Sequence, residues 1–193
     1  MSAIHKTFGA EGDVSVRRPD YVAEATTDET LRHRSYRYTL AAIRLCIGWV
    51  FLWAFLDKMF GLGHETPAKG AWIDGGSPTA GFLGKGTQGP FASFYQSFAG
   101  AGWADTLFMI GLLCIGVALI LGIAMRLATG AGALMLVLMW TAVLPPANNP
   151  FMDDHIIYAL ILVVLVLAHA GRTLGLSRMW EGLPLVKRYG VLK

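Results

Sequence analysis

Residues 107–125 carry no charge, nor do residues 127–146, and a single arginine, Arg126, separates the two runs. At about 1.5 Å of rise per residue, either run as a helix crosses the ~30 Å hydrocarbon core of a bilayer. Backbone in lipid must satisfy its own N–H and C=O groups, so both runs are expected to be helical, with a tight turn at Arg126 making them a hairpin. Ala118 with Gly122 and Ala128 with Gly132 recur at four-residue spacing, which lets helix backbones approach closely. Two further apolar stretches reach membrane length with polar residues at an end. One begins at Leu45 and is interrupted by Asp57 and Lys58; the other covers 156–171 and has only His169 as an ionisable group. The expected architecture is an all-α integral membrane protein, a four-transmembrane-helix bundle with spans near 40–63, 106–125, 127–144 and 154–176.

Composition agrees: 54% of the 193 residues are hydrophobic and 15% charged, too apolar for an ordinary soluble domain. The net charge of +3 conceals a strong sidedness. Of the 16 lysines and arginines, only Lys58, Lys69 and Lys85 fall on the side of the first loop, and the rest lie in the segment up to and including Arg44, at Arg126 or in the tail from Arg172. Cytoplasmic segments retain such an excess, so both termini are expected in the cytoplasm of a prokaryotic cell and the protein in its plasma membrane. Positive residues flanking apolar spans suit anionic lipid headgroups, and a nucleic-acid role is not expected.

The stretch 1–39 mixes acids, bases, Thr and Gly, and is expected to be a flexible cytoplasmic tail. It has no apolar h-region, so no cleavable leader is expected, and the pair Arg17-Arg18 is not followed by apolar residues. A membrane domain then covers 40–176, with a cytoplasmic tail at 177–193. Cys46 and Cys114 fall at different depths, which argues against a disulfide.

The outer loop, 64–105, is longer than a connection needs to be and rich in aromatic residues. Phe91, Phe94, Tyr95 and Phe98 follow i, i+3, i+4, i+7 spacing and predict a short amphipathic helix on the membrane surface or over the helix ends. An aromatic belt anchoring the loop explains the same residues.

Ionisable groups at membrane depth are costly and need a partner or a purpose. Trp49, Trp53 and Asp57 share one face of the first span, and Asp153, Asp154 and His155 open the fourth at the same outer side, so topology gathers Asp57, Lys58, Asp153, Asp154 and His155. In the structural reading one aspartate caps the helix and Lys58 snorkels to headgroups. In the functional reading Lys58 and His155 polarise or protonate the carbonyl oxygens of a quinone, Asp57 or Asp154 orients the histidine, and Trp53, Trp140 and Tyr158 pack on the ring. His155, Tyr158, Leu162, Leu165 and His169 form a stripe along the fourth span. Its two histidines stand about 21 Å apart along the axis, which excludes a haem held by both. No flavin, iron-sulfur, phosphate-loop or metalloprotease motif is present, and no metal site is expected.

The segments FLWAFLDKMFG, GVALILGIAMRLATGAGALMLVLMW and NPFMDDHIIYALILVV resemble the DoxX/DoxD family of bacterial and archaeal membrane proteins, whose members include a subunit of thiosulfate:quinone oxidoreductase. The likeness covers roughly residues 40–176, and the loop stretches AWIDGGSPTAGFL and GPFASFYQSF look like the DoxD-type branch. The resemblance implies a four-helix membrane bundle and permits electron transfer from a sulfur substrate to quinone. Lys58, Arg126 and His155 match the family's recurring polar positions. With no redox cysteine pair or cofactor motif in the chain, a second subunit or soluble redox partner is expected to share the electron transfer. The competing expectations are a non-enzymatic scaffold for redox or stress-response proteins and, with less behind it, a small-molecule transporter, since no internal repeat or broken helix is evident.

Overall fold

A computed structural model describes residues 20–192, with side chains from residue 29 onward, and among them there is no strand. Two compact units divide the chain, 1–35 and 36–193. All that follows concerns the second, apart from the start of helix α1.

Helix α1 runs Asp20–Phe60, α2 Ala92–Gln96, α3 Gly102–Leu121, α4 Met125–Ala142, α5 Asp154–Leu167, α6 Ser177–Gly182 and α7 Pro184–Arg188. Stretches Glu29–Phe60, Gly102–Leu121 and Met125–Ala142 are long and apolar enough to cross a membrane, and α5 is a shorter apolar helix of 14 residues.

Helix α1 begins well inside the stretch expected to be a flexible tail. No Gly or Pro follows Pro19 until Gly48, and Ala, Glu, Leu and Arg recur, so extending an existing helix backwards avoids the cost of a new nucleus. Residues 1–19 of that tail lie outside the described residues. The fourth helix ends earlier than expected, at Leu167 rather than near 176. His169 then sits at φ 50°, ahead of a 3₁₀ turn at Ala170–Arg172, and so leaves the expected stripe.

Four helices share one core. Ile47, Phe51 and Phe55 of α1 meet Met109, Leu112, Ile115 and Leu119 of α3, with Ala128 and Leu136 of α4 and Ala159, Leu162 and Leu165 of α5. These are positions three, four or eight apart, one stripe on each helix. The opposite stripes are apolar too: Leu107, Leu134, Leu160 and Leu167 are 58–73% exposed. Helices that turn leucine both inward and outward are suited to a surrounding hydrocarbon rather than to water.

Close approach of α1 to α3 depends on Gly116, where a Cβ atom would stand 2.7 Å from the backbone nitrogen of Leu52. Of the small residues singled out by spacing, Ala128 and Gly132 do face the core, but Gly122 does not act as a packing glycine. It ends α3 in the left-handed region at φ 68°, where a side chain is disfavoured, and the following N–H of Ile123 returns to the carbonyl of Ala118 at 3.0 Å. The turn that carries the chain into α4 is thus set by backbone conformation.

At this end of the helices Arg44, fully buried, fans out its guanidinium. Nη1 donates to the carbonyls of Leu119 (2.5 Å) and Ile120 (3.0 Å), and Nη2 to those of Thr173 (3.3 Å) and Leu174 (2.7 Å). A helix C-terminus leaves its last carbonyls without partners and carries partial negative charge, so a cation there satisfies both needs. Gly122 also makes room for it, since a Cβ atom would lie 2.6 Å from Nη1. Ser177 Oγ donates to the Gly122 carbonyl (2.5 Å) and the Leu176 N–H to that of Leu121 (2.8 Å), which ties the last segment of the chain to the same turn. Residues 177–192, expected as a tail, accordingly fold back as α6, α7 and a 3₁₀ turn.

Candidate functional site at the loop end of the helices

The opposite end is organised by one polar anchor on each of four helices. In the last turn of α1, Asp57 is 1% exposed and its carboxylate accepts the backbone N–H groups of His64 (3.2 Å), Glu65 (3.1 Å) and Thr66 (2.8 Å). An acid is unfavourable at a helix C-terminus by itself, and three amide dipoles pointing at it supply the compensating field. In the first turn of α3, buried Asp105 accepts Ser77 Oγ (2.9 Å), the Thr79 N–H (2.9 Å) and Thr79 Oγ1 (2.6 Å). In the last turn of α4, Thr141 Oγ1 bonds the hydroxyl of Tyr95 at 2.6 Å, which seats α2 over that helix end. Tyr95 packs there with Leu83 and Ala142, and its ring meets Phe94 and Phe98 edge-on at 5.3 and 5.9 Å. The long loop is therefore pinned down along its length.

The fourth anchor is the head of α5. Asp153 caps the helix: its Oδ1 accepts the backbone N–H of His155 at 3.1 Å, while its Oδ2 lies 2.7 Å from His155 Nδ1. An ionised carboxylate only accepts, so the bond places a proton on Nδ1 and leaves Nε2 outside this contact, an acceptor in the neutral ring and a donor in the imidazolium. The histidine side chain is 23% exposed and that of Asp153 12%. One aspartate thus performs both roles that the sequence reading divided. The histidine's partner is Asp153, not the Asp57 or Asp154 expected from topology, because the cap geometry brings residues two apart into contact. Asp154 itself is exposed. One ligand atom from each of Asp153, Asp154 and His155 lies within 4.8 Å of the others, an oxygen and nitrogen set of the kind divalent cations accept.

The segment before α5 is ordered by Asn149, whose Oδ1 accepts the N–H groups of Phe151 and Met152 at 3.0 Å each. Trp140 reaches it from α4: its Nε1 donates to the Phe151 carbonyl (2.8 Å) and the two rings meet edge-on at 5.2 Å. Tyr158, one turn below His155, is half-buried against the shared core.

The five-residue polar cluster expected from topology divides in two. Among the described residues, no hydrogen bond or ion pair joins Asp57 or Lys58 to Asp153, Asp154 or His155. Asp57 is spent on its own loop, and Trp53 stacks edge-on with His64 of that loop at 5.2 Å. Lys58 is half-buried. Arg126 stands apart from both groups at the start of α4, about 21 Å along the helix from Trp140. Sequence reasoning missed Arg44 and Asp105, the two buried charges that close the ends of α3; only the position of Asp105 in a first helical turn was there to be noticed. Cys46 and Cys114 are free thiols.

No family model, no curated protein and no solved structure matches the chain.

Proposed function

We propose that the chain is the quinone-interacting membrane subunit of an oxidoreductase, with thiosulfate as the donor that the DoxX/DoxD resemblance implies. In this reading α1, α3, α4 and α5 form a four-span bundle in a prokaryotic plasma membrane, the loop end facing outward and the Arg44 end facing the cytoplasm. The 14 residues of α5 cover about 21 Å, which a bilayer accommodates by local thinning. The loop helix lies over the outer mouth with Phe94 turned to lipid.

The observation that carries the reading is the His155–Asp153 pair at the head of a membrane helix, half-buried and bonded through Nδ1 so that Nε2 takes no part in it. Reducing a quinone takes two electrons and two protons. Two thiosulfate anions joined through sulfur release the two electrons, which reach the ring with the help of a second subunit or soluble redox partner. His155 passes one proton from Nε2 to a carbonyl oxygen and recovers it at Nε2 from water on the loop side. Asp153 keeps the ring oriented and balances the imidazolium charge. Lys58, on the last turn of α1 at the same end, is the candidate donor to the second carbonyl, and Trp140 and Tyr158 offer the flat apolar surfaces a quinone ring packs on.

The test is thiosulfate-dependent reduction of a short-chain quinone by the purified chain in lipid, alone and with membrane extract as a source of partner. Turnover is expected to fall at least tenfold in His155→Gln, and Asp153→Asn should move the pH profile because the proton on Nδ1 loses its acceptor. Wild-type protein that reduces no quinone under either condition would contradict the proposal.

A further inference from the structure

A slot of about 260 Å³ opens between α4 and α5 at the Arg44 end, lined by Arg126, Thr129, Gly130 and Ala133 on one helix and Val163 and Val166 on the other. The α4 residues follow i, i+3, i+4, i+7 spacing, so the slot runs along the helix axis for about 10 Å from Arg126. Its wall is mostly apolar. Thr129, the polar lining residue beyond Arg126, donates its hydroxyl to the Met125 carbonyl at 2.7 Å. Gly130 is the gap in the wall: a Cβ atom there would meet nothing within 4 Å.

The mouth of the slot has the opposite character. Arg126 is exposed, its guanidinium donates to the Gly190 carbonyl at 3.1 Å, and among the described residues no carboxylate pairs with it. That carbonyl belongs to the turn after α7, which carries Lys187 and Arg188 in its last turn. An apolar channel parallel to membrane helices, opening under an unpaired guanidinium at the basic end, matches a molecule with an anionic head and a hydrocarbon chain.

We propose that this slot holds one acyl chain of an anionic glycerophospholipid whose phosphate binds Arg126. The free guanidinium N–H groups fit two phosphate oxygens at once, and the basic turn beside it raises the local concentration of anionic headgroups. The proposal rests on the chain lying in a bilayer and is independent of the quinone chemistry at the other end. Bound there, the lipid fills the gap at Gly130 and cements α4 to α5 and the folded-back tail.

The experiment is native mass spectrometry of the full chain, released from vesicles of equal phosphatidylglycerol and phosphatidylcholine. Wild type is expected to retain phosphatidylglycerol over phosphatidylcholine by about fivefold, the factor one basic residue provides at an anionic surface. Arg126→Gln should abolish the preference while still retaining lipid. Gly130→Phe, whose Cβ atom meets nothing within 4 Å and whose ring enters the slot, should lose bound lipid of both kinds while its thermal unfolding in detergent stays unchanged. Equal retention of the two lipids by wild type, retention unaffected by Gly130→Phe, displacement by inorganic phosphate alone, or displacement by a quinone at equal concentration would each overturn the proposal.

Discussion

Replacing Arg44 with methionine keeps most of the apolar stem and removes the guanidinium of a fully buried side chain. Four carbonyl oxygens then lose their donor: Leu119 and Ile120 at the end of α3, Thr173 and Leu174 in the returning segment. Hydrogen bonds to a charged group contribute about 1.5–3 kcal/mol each, a gross loss of roughly 6–12 kcal/mol. Three effects reduce it. The wild type bears the cost of burying a cation that has no ion-pair partner among the described residues. The Ile120, Thr173 and Leu174 bonds are only partly buried, so water can replace them. Nε of Arg44 is itself buried without a partner, so its desolvation is regained on substitution. The expected net destabilisation is about 3–5 kcal/mol, comparable to breaking other buried polar networks. Arg44→Lys, with charge but no fork to bridge two segments, should fall about midway. The assay is equilibrium unfolding of the full chain in mixed micelles with increasing denaturing detergent, followed by helical circular dichroism. Arg172→Ala serves as control: its bond to Glu181 at 3.1 Å is between exposed groups and should contribute less than about 1 kcal/mol. An Arg44→Met protein within about 1 kcal/mol of wild type would refute the view that this residue closes the end of α3.

Other consequences are local. Asp57→Ala leaves three backbone N–H groups without their acceptor and should free the 61–66 loop at a cost of about 1–3 kcal/mol, seen as new proteolytic cleavage there while the helices stay folded. Asp105→Ala should do the same for the segment around Ser77 and Thr79, with fast hydrogen exchange at the Thr79 amide as the readout. Gly116→Val drives a side chain into the backbone of Leu52 and should destabilise the α1–α3 contact by about 1–3 kcal/mol or more in the same unfolding assay, whereas Gly130→Ala, facing open space, should be near neutral.

Helices α3 and α4 were legible because a bilayer tolerates so few charges that their absence over two stretches is close to a measurement of length. Their boundaries moved by a few residues for reasons a hydropathy pattern does not hold: Gly122 adopts the left-handed conformation that ends α3, and α4 stops where the loop N–H of Gln88 takes the carbonyl of Ala142. The helical stretch from Asp20 was missed because polar residues were read as disorder, although their helix propensity is good once a helix exists to extend.

Buried charges were read least well. Arg44 looks in sequence like one more basic residue flanking a span. Its role depends on segments near 120 and 174 arriving at the same place, which is a tertiary fact. Asp57 and Asp105 bind backbone amides and small hydroxyls, partners that leave no compositional mark. The Asp153–His155 contact was the most accessible in principle, since an N-cap aspartate two residues before a histidine brings them together through helix geometry alone. The expected partners were Asp57, distant in sequence, and Asp154, the immediate neighbour, whereas the cap places Asp153 against the ring.

Everything proposed here depends on the helices crossing a bilayer with their two ends on opposite sides and with α5, the shortest, as a true span. Single cysteines placed by Lys69→Cys, Asn148→Cys or Arg178→Cys in a Cys46→Ser, Cys114→Ser background, probed in intact cells with a membrane-impermeant maleimide, measure this directly. All three positions are exposed. Labelling at 69 and 148 from outside, with 178 reached only after the membrane is opened, is the predicted result; 148 and 178 labelled from the same side would contradict it.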